Sequence, residues 1–87
     1  MYNLSLEQLI TVRELKTFPN KVRYLRINVA KKGAGEFAKE FGITYRTLWT
    51  IERRENPMVK TICKYAEMFN LPMEVLQPKA KRKGGNK

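Results

Sequence analysis

Apolar residues recur along this chain at helical spacing in short stretches, each bounded by residues that start or stop a helix. At the beginning, Ser5 is placed to cap, Gln8 to reach back to it, and Leu4 to pack on Leu9, a capping box with a hydrophobic staple. A helix from about Leu6 to Lys16 is expected to follow. Phe18-Pro19-Asn20 should end it, because the residue before a proline avoids the helical region, and Asn20 is suited to cap the next helix. There Val22, Leu25 and Val29 share a face while Arg23, Arg26 and Lys31 fall largely on others, and Lys32-Gly33 closes the segment.

The next stretch, 33–53, reads as two short helices pivoting at Gly42, a helix-turn-helix pattern. Phe37, Ala38 and Phe41 line one side of its first helix, with the small Ala38 allowing close approach of a neighbour. Gly42 supplies the left-handed backbone of a sharp turn. Thr44 is a good N-cap for the second helix, Ile43 can staple onto Leu48, and Leu48 and Ile51 face the core. At about 100° per residue, Arg46, Trp49, Thr50 and Arg53 then lie farthest from the core stripe, with Tyr45 on its flank. That is more aromatic surface than a merely solvated helix shows, and the side chains suit contact with DNA.

Beyond a linker, Asn56-Pro57 predicts an N-cap followed by proline in the first turn, and Val59, Ile62, Cys63, Ala66 and Phe69 form the expected buried stripe. Asn70 is a plausible stop, and Pro72 opens a short final turn through Met73 and Leu76. The run KAKRKGGNK after Pro78 has no apolar residue larger than alanine and is expected to be disordered. Three units follow: an accessory N-terminal helix in 1–18, a helix-turn-helix domain in 19–77 and a disordered basic tail in 78–87.

Composition narrows the function. Lys and Arg number 18 against 8 Glu, with no Asp and no His, so 87 residues carry +10. A polyanionic partner is favoured. Five of those charges sit on Lys79, Lys81, Arg82, Lys83 and Lys87, while 1–78 hold 13 basic and 8 acidic residues and are basic in their own right. At 43% apolar, the chain can build a modest core. Without His, Asp, a glycine-rich phosphate loop or clustered cysteines, enzymatic chemistry is poorly provided for, and no catalytic site, metal, cofactor or small-molecule ligand is expected. Glu36, Glu40, Glu52 and Glu67 read as solvated helix charges, and the single Cys63 as a buried apolar side chain. No apolar run is long enough to cross a bilayer and MYNLSLEQL lacks a basic leader, so a cytoplasmic protein is expected.

Residues Asn20 to Leu76, roughly two thirds of the chain, resemble the lambda-repressor-like or Xre-type (Cro/CI) helix-turn-helix DNA-binding family. The resemblance rests on FAKEFGITYRTLWTIER and on NPMVKTICKYAEMFNLPMEVL, the latter similar to the family's fourth and fifth helices. It implies an all-α, five-helix fold, here with an extra N-terminal helix, acting as a homodimeric, sequence-specific regulator of transcription of the phage or mobile-element repressor kind. The second motif helix would enter the major groove of double-stranded DNA. Tyr45, Arg46, Trp49 and Thr50 are then the candidate base-reading residues, with Arg46 suited to a bidentate grip on guanine. Lys31, Lys32, Thr44, Arg53, Arg54, Asn56 and Lys60 are candidates to hold phosphates.

Two departures stand out. Gly33-Ala34 replaces the Ser or Thr and Gln with which the family usually anchors a phosphate, leaving Lys31, Lys32 or backbone N–H groups to substitute. Trp49 stands where a small residue is common, either to meet the groove or to pack on the linker at Arg54 to Pro57. The resemblance further implies dimerisation through residues near Leu71 to Leu76. The N-terminal helix either packs within the monomer, pairs with a second subunit or docks a protein partner, the last suiting an antitoxin or adaptor; an architectural, non-specific DNA binder is a further reading.

Overall fold

Six short α-helices and one π-helical turn form the all-α fold of the computed structural model, which describes residues 2–77 and holds no strand among them. The tail expected in 78–87 lies outside the described residues. In chain order the helices are α1 (Leu6–Glu14), α2 (Phe18–Tyr24), α3 (Ala34–Phe41), α4 (Tyr45–Ile51), α5 (Val59–Met68) and α6 (Met73–Leu76). Leu25–Ala30 continues α2 as a π segment.

The capping box of α1 forms in full: Ser5 accepts from the Gln8 backbone N–H, and the Gln8 side chain accepts from that of Ser5. The helix stops two residues earlier than expected, with Leu15 extended. Its last carbonyls are taken by Lys21, whose ammonium donates to Val12 O at 2.7 Å and Arg13 O at 3.5 Å although its side chain is buried. A cation at a helix C-terminus satisfies orphan carbonyls and complements the helix dipole, which is how a lysine is accommodated here.

Pro19 starts a helix rather than separating two. Thr17, not Asn20, is the cap of α2, its hydroxyl accepting from the Asn20 N–H. In the first turn a proline's missing N–H would have no intrahelical partner anyway, so Phe18-Pro19 opens α2 without cost and Phe18 is fully buried. The boundary drawn at 18 therefore falls inside α2. A similar displacement affects α5: Met58 is its N-cap, Asn56-Pro57 lies just upstream, and Val59 is exposed rather than buried. Ile62, Ala66 and Phe69 keep the inward stripe, while Cys63 is half-buried with Sγ 3.5 Å from Met73 Sδ. Asn70, at φ 54°, ends the helix in the left-handed region, and the Leu71 N–H closes back on Ala66 O.

At the centre lies an aromatic stack. Phe37 faces Phe41, Phe69 and Tyr65 at 5.4, 6.1 and 6.2 Å between ring centroids, and Phe18 meets Tyr65 edge-on at 5.8 Å. Val12 of α1 joins the same core as Leu25, Leu48 and Leu76, so α1 is packed into the unit through one face. Its other face is open, with Leu6 and Ile10 exposed. The Tyr65 hydroxyl is buried without a hydrogen-bond partner among the described residues, and burial, reinforced by the Glu52 charge, pushes its pKa up. A buried, unmade hydrogen bond is a penalty of about 1–3 kcal/mol. Tyr65→Phe should thus leave the denaturation midpoint unchanged or raise it; a lowered midpoint would show that the hydroxyl is satisfied.

Candidate nucleic-acid interface

The surface around α4 is built outward from a tight turn. Gly42 sits at φ 81° and its N–H closes on Ala38 and Lys39 carbonyls, ending α3 in the left-handed conformation that a Cβ would strain. Two residues later Thr44 caps α4, its hydroxyl oxygen accepting from the Thr47 N–H at 3.1 Å. The same hydroxyl donates to Thr47 Oγ1 at 2.9 Å, so among the candidate phosphate ligands Thr44 has its proton engaged within the fold. Leu48 is fully buried and Ile51 half-buried, which turns the opposite side of α4 to solvent.

That outer side carries Tyr45, Arg46, Trp49 and Thr50, all exposed and together lining one hollow. Trp49 keeps half its surface exposed, and the Arg53 guanidinium lies over its ring 3.9 Å from the centroid. Its partner is therefore the next turn of its own segment. The Thr50 hydroxyl donates to Arg46 O at 3.1 Å, leaving its methyl group and lone pairs for a ligand. No hydrogen bond or ion pair among the described residues engages the Arg46 guanidinium.

What holds α4 in place is a pair the sequence reading left on the surface. Glu52, expected to be a solvated charge, is buried at the end of α4. Both its carboxylate oxygens accept from Arg26 of the π segment, Nε to Oε2 at 2.7 Å and Nη2 to Oε1 at 3.2 Å. Arg26 Nη1 also donates to Lys32 O at 3.1 Å. One fork thus ties the π segment, the strand of chain leading into α3 and the far end of α4 together, using the planar geometry that only arginine supplies.

The remaining candidates lie on the segments before and after the motif. Lys31, Arg54, Asn56 and Lys60 are exposed, and no hydrogen bond or ion pair among the described residues engages their side chains. Lys31 takes φ 58° as it ends the π segment. Lys32 is already committed: its ammonium lies 2.7 Å from Glu40 Oε1, which also accepts from the Tyr2 hydroxyl at 2.6 Å. Those bonds, the lysine's first, hold the Glu40 carboxyl below its ordinary pKa and raise that of Lys32. Glu40 is accordingly a paired charge rather than a merely solvated one.

Arg23 belongs with these residues and was not singled out from the sequence. It is exposed on α2 and lines a second hollow with Ala34, Tyr45, Trp49 and Arg53. Only the approach of α2 to α4 reveals it; its place on its own helix looks ordinary. Toward the other end, Val75 and Leu76 lie in the core while Leu71 and Met73 are half-buried, so the segment expected to dimerise keeps little apolar surface exposed.

Among the described residues no helix is long and apolar enough to cross a membrane, and no three His, Cys, Asp or Glu side chains gather as metal ligands would. Comparison with protein-family models, with curated proteins and with solved structures finds no match to this chain.

Proposed function

We propose that this protein is a sequence-specific double-stranded DNA-binding regulator of transcription, of the lambda-repressor-like or Xre helix-turn-helix type, cytoplasmic and without enzymatic activity. The observation that carries the reading is the outer side of α4: Tyr45, Arg46, Trp49 and Thr50 share one solvent-facing hollow on a helix whose inner side is locked by Leu48 and Glu52. A rigid helix presenting solvent-facing polar and aromatic groups, an unengaged Arg46 guanidinium among them, is what major-groove readout requires. Arg23 and Arg53 border Tyr45 and Trp49, and the exposed Lys31, Arg54 and Lys60 add to the positive charge that attracts a phosphate backbone.

Arg46 reads a guanine in this arrangement, its guanidinium donating to O6 and N7. The test is selection of bound duplexes from a random pool, with Arg46→Ala beside the wild type. Loss of base preference at one position, at about 1–3 kcal/mol, is expected. A consensus and affinity indifferent to Arg46→Ala would sink the assignment. Action as a homodimer predicts two half-sites about one helical turn apart, which the selected sequences display directly.

A second reading draws on α1. Leu6 and Ile10, one turn apart, are 73% and 48% exposed, an apolar pair suited to a protein partner in an antitoxin or adaptor. Absence of binding to any duplex favours that role, and uniform, salt-sensitive binding favours an architectural one.

A further inference from the structure

We infer that the hollow on α4 seats the C5-methyl edge of a pyrimidine, so that binding depends on base methylation: thymine over uracil, and 5-methylcytosine over cytosine. The inference rests on the DNA-binding reading and specifies what its central site discriminates. The hollow spans one helical turn, bounded by the Tyr45 and Trp49 rings at i and i+4 and by Arg46 and Thr50 beside them. Its volume, near 400 Å³, exceeds a methyl group, so what enters is a base edge carrying the methyl rather than the methyl alone.

Three features favour that occupant over a stacked base. Arg53 covers one face of the Trp49 indole at 3.9 Å, which removes that face as a stacking platform and leaves the other face and the ring edge. The Thr50 hydroxyl proton is spent on Arg46 O, so the threonine offers its methyl group and acceptor lone pairs, not a donor. Arg46 borders the hollow with its guanidinium unengaged, placing a guanine-reading group beside an aromatic-walled space. In the major groove, C5-methyl is the one apolar feature a base pair presents, and it occurs on thymine and on methylated cytosine. A hollow with aromatic walls and an arginine at its side matches a methylated pyrimidine next to a guanine.

The experiment uses the full chain and duplexes selected from a random pool. Each selected thymine is replaced in turn by deoxyuridine, and at the sensitive position cytosine and 5-methylcytosine are compared, each paired with guanine. One methyl group is expected to change affinity about fourfold in both comparisons, the worth of one buried carbon. In Trp49→Ala, or in Tyr45→Ala should the first fail to fold by circular dichroism, both ratios are expected to fall toward one. Selected duplexes that bind but ignore every methyl group, or variants that keep the full ratio, overturn the inference and leave the DNA-binding reading standing. A folded chain that binds no duplex overturns both.

Discussion

Replacing Glu52 by alanine is expected to destabilise the fold by about 3–5 kcal/mol, because it strands the Arg26 guanidinium in a site from which water is largely excluded. Side chains of the pair are only 13% and 6% exposed, which separates this ion pair from surface bridges that contribute little. Small domains hold only a few kcal/mol in reserve, so the variant should be largely unfolded or melt far below the parent. Arg26→Ala should be as damaging, since it also frees Lys32 O. The double replacement Arg26→Met, Glu52→Leu is expected to recover much of the loss, because the penalty lies in an unpaired buried charge rather than in the absence of a pair. Urea denaturation of the four proteins checks this. Single variants within about 1 kcal/mol of the parent would mean that the pair is solvated and that α4 is held by Leu48 alone.

The second large effect is expected at Phe37. Truncation to alanine empties the middle of a stack in which Phe37 faces Phe41, Tyr65 and Phe69, and deletion of a buried phenyl ring costs about 3–5 kcal/mol. Phe37→Leu retains much of the buried surface and should lose clearly less, the difference reporting ring packing and shape. Because Phe37 and Phe41 together pack α3 on Tyr65 of α5, Phe37→Ala should also loosen the turn at Gly42 and weaken any DNA binding in step with stability. Thermal unfolding read beside duplex affinity separates the two. Full affinity in a strongly destabilised Phe37→Ala would show that α4 is fixed independently of the stack.

The region around Gly42 is legible in the sequence because every determinant there is local. A glycine takes φ 81°, a threonine two residues later caps α4, and inward positions recur at helical spacing on both sides. The outer face of α4 follows from the same periodicity, which is why Tyr45, Arg46, Trp49 and Thr50 emerge together. Proline signals proved ambiguous. A proline can stop the helix before it or open the one after it, and Pro19 opens α2 because Thr17 takes the cap and Phe18 reaches the core, α1 having already ended at Glu14. Val59 carries the right spacing for the α5 stripe yet lies in the first turn, where the helix end projects beyond the core.

Least legible are the buried charges. Arg26 and Glu52 stand 26 residues apart, and each in isolation looks like any surface residue. Nothing in the local sequence distinguishes Glu52 from Glu36 or Glu67, since burial is decided by where α2 and its π extension lie against α4. Lys21 is hidden for the same reason: its carbonyl partners belong to the preceding helix. The role of Trp49 was open to two readings because periodicity names a face but not a neighbour, and the neighbour is Arg53.

The π turn at Leu25–Ala30 has a consequence for chain length. Leu25 and Ala30, five residues apart, are both buried, whereas Ile27 and Asn28 between them are exposed. In a regular α-helix two residues five apart point about 140° from one another, so the extra residue of the wider turn is what brings both to the core. Excising Ile27 or Asn28 would set Leu25 and Ala30 four apart, again on one side of a regular α-helix. A chain shortened by one residue here should therefore keep both side chains turned inward, at the expense of the wide turn that carries Ile27 and Asn28 into solvent.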